Sequence, residues 1–185
     1  SALHPVIEQI ERAAGFSRDD SPDEKLDKME KHFPNDTAFV ASLLSLPVER
    51  YPALAMSPQK QKEETLRLLA EGVMAMAVDA PVLLILEDAH WIDPTSQELF
   101  DLVVPVVASH RVLAIITHRP EYTPPWSGLS HVTQVALDRL GRSEAAALAA
   151  RVSEIALADH LLDEIVKRTD GVPLFVEELT KTVIE

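Results

Sequence analysis

The chain has 185 residues, enough for one domain or for one domain with a small appendage, and its apolar content of 46% can fill a core. The formal net charge of −13 argues against a general nucleic-acid binder, because such proteins present a basic surface, and the absence of cysteine excludes disulfides and cysteine-based zinc sites. No apolar run approaches the roughly 20 residues of a membrane span, so we expect a cytoplasmic protein without a membrane partner.

Four helices are predicted before the first strand. Apolar residues at helical spacing open the chain, and Gly15 ends this pattern. Ser21 and Glu24 form a capping box with Pro22 at the first helical position, which indicates the start of a second helix. A short third helix follows, and a long fourth helix begins at Ser57 after a proline-rich loop. The predicted spans are residues 3–14, 21–32, 37–46 and 57–79.

The most informative segment is the apolar run Val82–Leu86, which is followed directly by Glu87 and Asp88. Such a run is typical of a strand that is buried on both faces of a parallel sheet. The two acids would emerge at the carboxyl end of the strand, where ligands bind in open α/β sheets. Two carboxylates at that place can hold Mg²⁺ and orient a water against a phosphate. The alternative is a solvated acidic turn without a ligand.

A helix, a second strand and a weaker third strand are predicted next. Asp93 and Pro94 open the helix, and Pro105 should kink or shorten it. The second strand covers residues 111–117 and is largely apolar, like the first. A proline-rich loop follows at residues 120–128. The third strand is marked by Val132, Val135 and Leu137.

The pattern changes after Leu137, where three amphipathic helices are predicted with short joints. Their spans are residues 143–155, 158–169 and 173–184. Helices that alternate with strands and are followed by helices only indicate an α/β layer and a helical appendage. We therefore expect two parts, residues 1–137 and 138–185, with a boundary near Asp138.

Three motifs in this order resemble signal-transduction ATPases of the STAND/AAA class. The stretch LLILEDAHWIDPTSQELF resembles their Walker B region, ITHRPE at residues 116–121 resembles the sensor segment on the next strand, and DGVPLFVEEL at residues 170–179 resembles the GxP-type motif of the helical lid. The opening SALHPVIEQIERAAGF and the later SPDEKLDKME are similar to one subset, the ATPase module of large bacterial proteins that join a class III adenylate/guanylate cyclase domain to C-terminal helical repeats. Related modules occur in LuxR-type transcriptional regulators.

The resemblance implies an α/β fold, a partial P-loop NTPase core over residues 1–137 with an all-helical lid over residues 138–185. This core is three-layered, with a mostly parallel sheet. The Walker A motif G-x-x-x-x-G-K-[ST] does not occur in the sequence, whose five glycines are far apart. The resemblance therefore implies that the first two strands of the sheet and the P-loop precede Ser1. Because strand 1 of that family lies between strands 4 and 5, we expect a gap or an open edge that rearrangement or self-association covers.

By the same resemblance, three residues act at the phosphates of the nucleotide, by binding the metal, polarising the attacking water and contacting the γ-phosphate. Glu87 takes the metal-directing position, where the family usually has Asp, so its longer side chain shifts the metal geometry. Asp88 takes the position that polarises the attacking water. Arg119 is placed to reach a γ-phosphate, and its alternative is an ion pair with Glu87, Asp88 or Glu121.

Other candidate residues have a structural alternative as well. Asp93 either lines the nucleotide site or caps the following helix, and the cap is the preferred interpretation. Gly171 and Pro173 end one helix and begin the next, and by resemblance Pro173 also contacts the adenine. Trp91 is expected to pack against the lid or the proline-rich loop.

The sequence thus predicts a fragment of an ATP-binding switch ATPase that regulates a nucleotide cyclase output domain. ATP and Mg²⁺ are the expected cofactors of the intact protein, and the fragment alone should bind neither tightly nor hydrolyse ATP. Its expected partners are the preceding P-loop segment and the output and repeat domains of the same polypeptide. The alternatives are a non-catalytic interaction module and the ATPase part of a LuxR-type regulator, which would need a helix-turn-helix elsewhere.

Overall fold

The computed structural model describes residues 3–52, 54–153 and 157–184, and these ranges are mostly helical. The chain folds into two compact units, Ser1–Thr133 and Gln134–Glu185. No described helix combines the length and the apolarity needed to cross a bilayer. The elements are α1 (His4–Ala13), α2 (Pro22–His32), α3 (Thr37–Leu43), α4 (Pro58–Asp79), β1 (Val82–Leu86), α5 (Pro94–Val103), β2 (Val112–Ile116), α6 (Arg142–Ser153), α7 (Asp159–Thr169) and α8 (Pro173–Ile184).

The helices of the first unit begin and end largely where local sequence signals predict. The Ser21 hydroxyl accepts the amide N–H of Glu24 at 3.3 Å, and the Glu24 carboxylate accepts that of Ser21 at 2.8 Å, which confirms the capping box. The third helix ends at Leu43, before the predicted residue 46, because Ser45 adopts a φ of 55°. The fifth helix ends before Pro105, as predicted.

Two of the three apolar clusters in the described part of the first unit lie between helices. One lies among α1, α2 and α3, where Leu26 and Met29 are fully buried. The other joins α4 and α5, and Leu99 and Val103 of α5 are buried in it. Leu84 of β1 packs against this second cluster, so the two helices cover one face of the strand pair.

The strands β1 and β2 pair in parallel, from Val82 opposite Val112 to Leu86 opposite Ile116. Side chains alternate between the two faces of a strand, so every second residue lies on the face away from α4 and α5. The apolar side chains of that other face are 44% to 61% exposed. They are Leu83, Ile85, Leu113 and Ile115, which we call the open sheet face.

The predicted P-loop NTPase core is wrong for this chain. The described residues contain a two-stranded sheet and no larger one. The predicted third strand is absent: residues 131–141 form no strand, and the side chains of Val135 and Leu137 are 76% and 92% exposed. An alternating apolar pattern forms a strand only where a neighbouring strand accepts its backbone hydrogen bonds, and this segment has no such neighbour in the described structure.

The second unit consists of α6, α7 and α8 around a small core. Ala145, Ala149, Ile165 and Val176 are buried there. Helices α7 and α8 lie close to their predicted spans, whereas the predicted end of the preceding helix at residue 155 falls outside the described residues.

Candidate functional site

The candidate site is the acidic turn, which we define as Glu87 and Asp88 between β1 and the short 3-10 helix Ala89–Trp91. Asp88 adopts a left-handed backbone conformation, with φ 52° and ψ 45°. Glu87 is exposed, and the side chain of Asp88 is 76% exposed. The acidic turn therefore presents both carboxylates to solvent at the carboxyl end of β1, as the sequence predicts.

Thr117, the residue after β2, holds the acidic turn through three hydrogen bonds. The amide of Asp88 donates to Thr117 Oγ1 at 3.0 Å. The amide of Ala89 donates to the Thr117 carbonyl at 2.8 Å, and the Thr117 amide donates to the Leu86 carbonyl at 2.9 Å. Thr117 was not among the predicted site residues. A polar residue directly after an apolar strand was the available signal, but its contact with Asp88 depends on the strand register.

The charges around the acidic turn leave the two carboxylates open to a cation. Among the described residues, no Lys or Arg forms an ion pair with Glu87 or Asp88, and His90 Nδ1 lies 3.9 Å from Asp88 Oδ1. Those residues also contain no cluster of three or more His, Asp or Glu side chains that could hold a metal. A hard cation bound here would therefore take most of its oxygen ligands from water or from a phosphate.

Two aromatic residues follow the acidic turn. His90 is largely buried, and neither ring nitrogen has a hydrogen-bond partner in the described structure. Its ring lies 5.3 Å from that of Trp91. Trp91 is 76% exposed, which argues against its predicted packing on the proline-rich loop, and its packing against the lid stays a prediction.

Arg119 lies two residues beyond Thr117 and is exposed. Its backbone carbonyl accepts the amide of Tyr122 at 3.1 Å, which fixes the chain direction after β2. The alternative ion pairs of Arg119 with Glu87, Asp88 or Glu121 do not occur in the described part of the chain. The contact of Arg119 with a γ-phosphate stays a prediction.

Asp93 is the N-cap of α5, which confirms the preferred interpretation. Its Oδ1 accepts the amides of Thr95 and Ser96, both at 3.0 Å, and its Oδ2 accepts the Ser96 hydroxyl at 2.6 Å. Burial would raise the pKa of Asp93, but the hydrogen bonds from Ser96 and Thr95 outweigh it and the pKa is lowered. These bonds occupy both carboxylate oxygens, so helix capping accounts for the presence of an aspartate at residue 93 and no nucleotide contact is needed to explain it.

Gly171 and Pro173 lie in the second unit, at the joint between α7 and α8. Gly171 has a φ of 70°, and its carbonyl accepts the amide of Leu140 at 2.8 Å. A Cβ at residue 171 would overlap the Leu140 carbonyl, so the joint requires glycine. Pro173 begins α8, which confirms the helix-end and helix-start interpretation. The adenine contact stays a prediction.

Comparison with known proteins gives one informative similarity. An uncharacterized protein of Rhizobium meliloti (strain 1021) is 34% identical over 129 residues, which cover 68% of this chain and 12% of that protein. The chain thus spans about an eighth of the length of the curated relative it matches. No family model matches the chain, and no solved structure matches it, so the P-loop NTPase core has no support from known folds.

Proposed function

We propose that this chain is a segment of an ATP-binding signal-transduction ATPase, in which Glu87 and Asp88 bind the Mg²⁺ of the nucleotide. The observation that carries the proposal is the placement of the acidic turn at the carboxyl end of two parallel strands, where Thr117 holds it. The ordered resemblance of the three motifs to STAND/AAA-class ATPases also supports the proposal.

The donor groups of the acidic turn fit a hard divalent cation. Both side chains offer carboxylate oxygens, which Mg²⁺ prefers, and both are exposed to solvent. When bound, Mg²⁺ neutralises negative charge on the phosphate oxygens. In our proposal Glu87 and Asp88 would hold the cation, Asp88 would also orient a water and accept its proton, and Arg119 would bind a terminal phosphate.

The proposed role in the cell is that of a nucleotide-dependent switch. ATP binding would favour one conformation and pass this change to an output domain, which the resemblance suggests is a nucleotide cyclase. We place the protein in the cytoplasm, where ATP is available and where a chain without cysteine needs no oxidising compartment. Because the chain lacks a glycine-rich phosphate loop, we expect tight ATP binding only in a longer polypeptide.

A non-catalytic interaction module is the second candidate, and the open sheet face favours it. Four large apolar side chains that are 44% to 61% exposed are more than a soluble parallel strand pair normally leaves uncovered. Nothing on that face requires a nucleotide. This candidate predicts that substitutions in the acidic turn leave the function of the protein unchanged.

ATP hydrolysis by a longer polypeptide that contains this chain tests the proposal. We expect Asp88→Asn to lower kcat by about 100-fold or more, because a group that accepts the proton of water contributes at least that factor. Asp79→Asn is the matched control, since Asp79 is an exposed acid that ends α4 just before β1. Equal activity of the D88N and D79N variants would refute the proposal, as would the absence of any G-x-x-x-x-G-K-[ST] motif from that polypeptide.

A further inference from the structure

The open sheet face is a flat block of four apolar side chains in two rows. Parallel pairing places Leu83 beside Leu113 and Ile85 beside Ile115, so one row is leucine and the other is isoleucine. Helices α4 and α5 cover the opposite face of the strands, whereas no described part of the chain covers this one, whose side chains stay 44% to 61% exposed. Parallel strands are normally covered on both faces, so the open sheet face lacks an occupant.

The size of the open sheet face fits a weak interface between two proteins. The exposed fractions of its four residues amount to about two fully exposed side chains, which is a patch of roughly 400 Å². Two such patches in contact bury about 800 Å² of apolar surface, and a polar rim raises the total to about 1,000 Å², which weak and transient complexes bury. The area therefore fits an association that depends on concentration, not a permanent dimer.

The charges at the ends of the strands determine how a second copy can lie on this face. The block itself contains no charged residue, and the exposed acids Glu87 and Asp88 follow only its carboxyl end. A two-fold axis along the strands would bring the acidic turns of two copies together, where their like charges repel. An axis across the strands places the acidic turns at opposite ends of the interface. It also stacks the leucine row of each copy on the isoleucine row of the other.

We propose that the open sheet face is the interface of a weak homodimer, in which the strands of the two copies run in opposite directions. A flat apolar surface of two similar rows is complementary to itself under a two-fold axis and needs no groove in its partner. Sheets that pack face to face lie about 10 Å apart, so that the side chains of the two faces interdigitate. This inference is independent of the proposed nucleotide site, and its failure would leave that proposal intact.

Analytical ultracentrifugation of the 185-residue chain measures this association. We expect about half of the chain to be dimeric near about 100 μM, as for a small interface. Dimerisation should strengthen between about 0.1 M and about 1 M salt, because salt screens the repulsion between two copies that each carry a net charge of −13.

Two matched substitutions locate the interface. Leu113→Lys places a charge in the open sheet face and should raise the dissociation constant at least about tenfold. Leu102→Lys is the control, since Leu102 is 44% exposed on α5, the helix that covers the opposite face, and its dissociation constant should equal that of the wild type. Leu113→Thr removes apolar surface but keeps a high strand propensity, and it should weaken the dimer by about threefold or more. The fluorescence of buried Trp126 checks that each variant is folded.

Cross-linking tests the direction of the strands, because the chain has no cysteine of its own. Under mild oxidation, a Leu113→Cys chain should form a disulfide faster with an Ile115→Cys chain than with a Leu83→Cys chain, since the leucine row of one copy faces the isoleucine row of the other. The opposite order would overturn the antiparallel arrangement.

Two results of the ultracentrifugation would overturn the homodimer itself. A chain that remains monomeric at about 100 μM in about 1 M salt would show that the open sheet face takes a different occupant. Equal weakening of the dimer by L113K and L102K would place the interface elsewhere on the molecule.

Discussion

Removal of the Asp93 carboxylate should destabilise the first unit by about 2 kcal/mol. Loss of an N-cap costs about 1 kcal/mol, because the amides of Thr95 and Ser96 lose their acceptor. The Ser96 hydroxyl, buried beneath the cap, loses its acceptor as well, which adds about 1 kcal/mol. Asn is nearly as good an N-cap as Asp, so Asp93→Asn should cost less than half as much as Asp93→Ala.

Urea denaturation followed by tryptophan fluorescence measures this effect. Both tryptophans, Trp91 and Trp126, lie in the first unit, and Trp126 packs 6.0 Å from Phe100 of α5. The signal therefore reports on the helix that Asp93 caps. A cost below about 0.5 kcal/mol for D93A, or an equal cost for D93N and D93A, would refute the cap as the main role of Asp93.

The pH dependence of the same experiment has a defined sign. The pKa of Asp93 is lowered in the folded state, so its contribution to stability is fully present above the ordinary aspartate pKa. That contribution is lost as the pH falls through the lowered pKa. The difference in unfolding free energy between wild type and D93A should therefore be largest at neutral pH and shrink in acid. A difference that grew on acidification would contradict the hydrogen bonds assigned to this carboxylate.

Further predictions test the core, the second unit and the α2 region. Leu99→Ala should cost about 3 kcal/mol because Leu99 is buried, whereas Leu113→Ala on the open sheet face should cost less than about 1 kcal/mol in urea denaturation. Gly171→Ala should destabilise the second unit, because the new Cβ would clash with the Leu140 carbonyl and residue 171 has a positive φ. Gly72→Ala, at an unobstructed position in α4, should stabilise the first unit by about 0.5–1 kcal/mol, and circular dichroism on heating compares the two variants. Burial and a hydrogen bond to Glu30 raise the pKa of Tyr51 to about 12, and ultraviolet titration should show this value fall in Glu30→Gln.

The elements that local chemistry determines were predictable from the sequence. The capping box at Ser21, the stop before Pro105 and the joint at Gly171 each depend on a few neighbouring residues, and the structure confirms them. The two apolar strands were predicted as well, since Val82–Leu86 and Val112–Ile116 carry a strong signal. The third strand failed because strand formation depends on a partner that a sequence pattern does not reveal.

The candidate site was predictable only in part, because some of its contacts are local and others depend on strand pairing. Glu87 and Asp88 could be placed at a strand end from the pattern alone, and the cap by Asp93 follows from the proline after it. The hydrogen bond from Asp88 to Thr117 joins residues that are far apart in the chain, and it depends on the register of two parallel strands. Aspartate adopts the left-handed region more often than most residues other than glycine, but its presence at residue 88 does not by itself predict that conformation.

Calorimetric titration of MgATP tests most directly whether the acidic turn serves a nucleotide. The experiment compares this chain alone, a longer polypeptide that contains it together with a G-x-x-x-x-G-K-[ST] motif (the extended chain), and the extended chain with Glu87→Gln and Asp88→Asn. We predict no tight binding by the chain alone, Mg²⁺-dependent binding by the extended chain, and a loss of that Mg²⁺ dependence in the double variant. Micromolar binding by the chain alone, or identical Mg²⁺-dependent binding with and without the two carboxylates, would contradict the proposed role of Glu87 and Asp88.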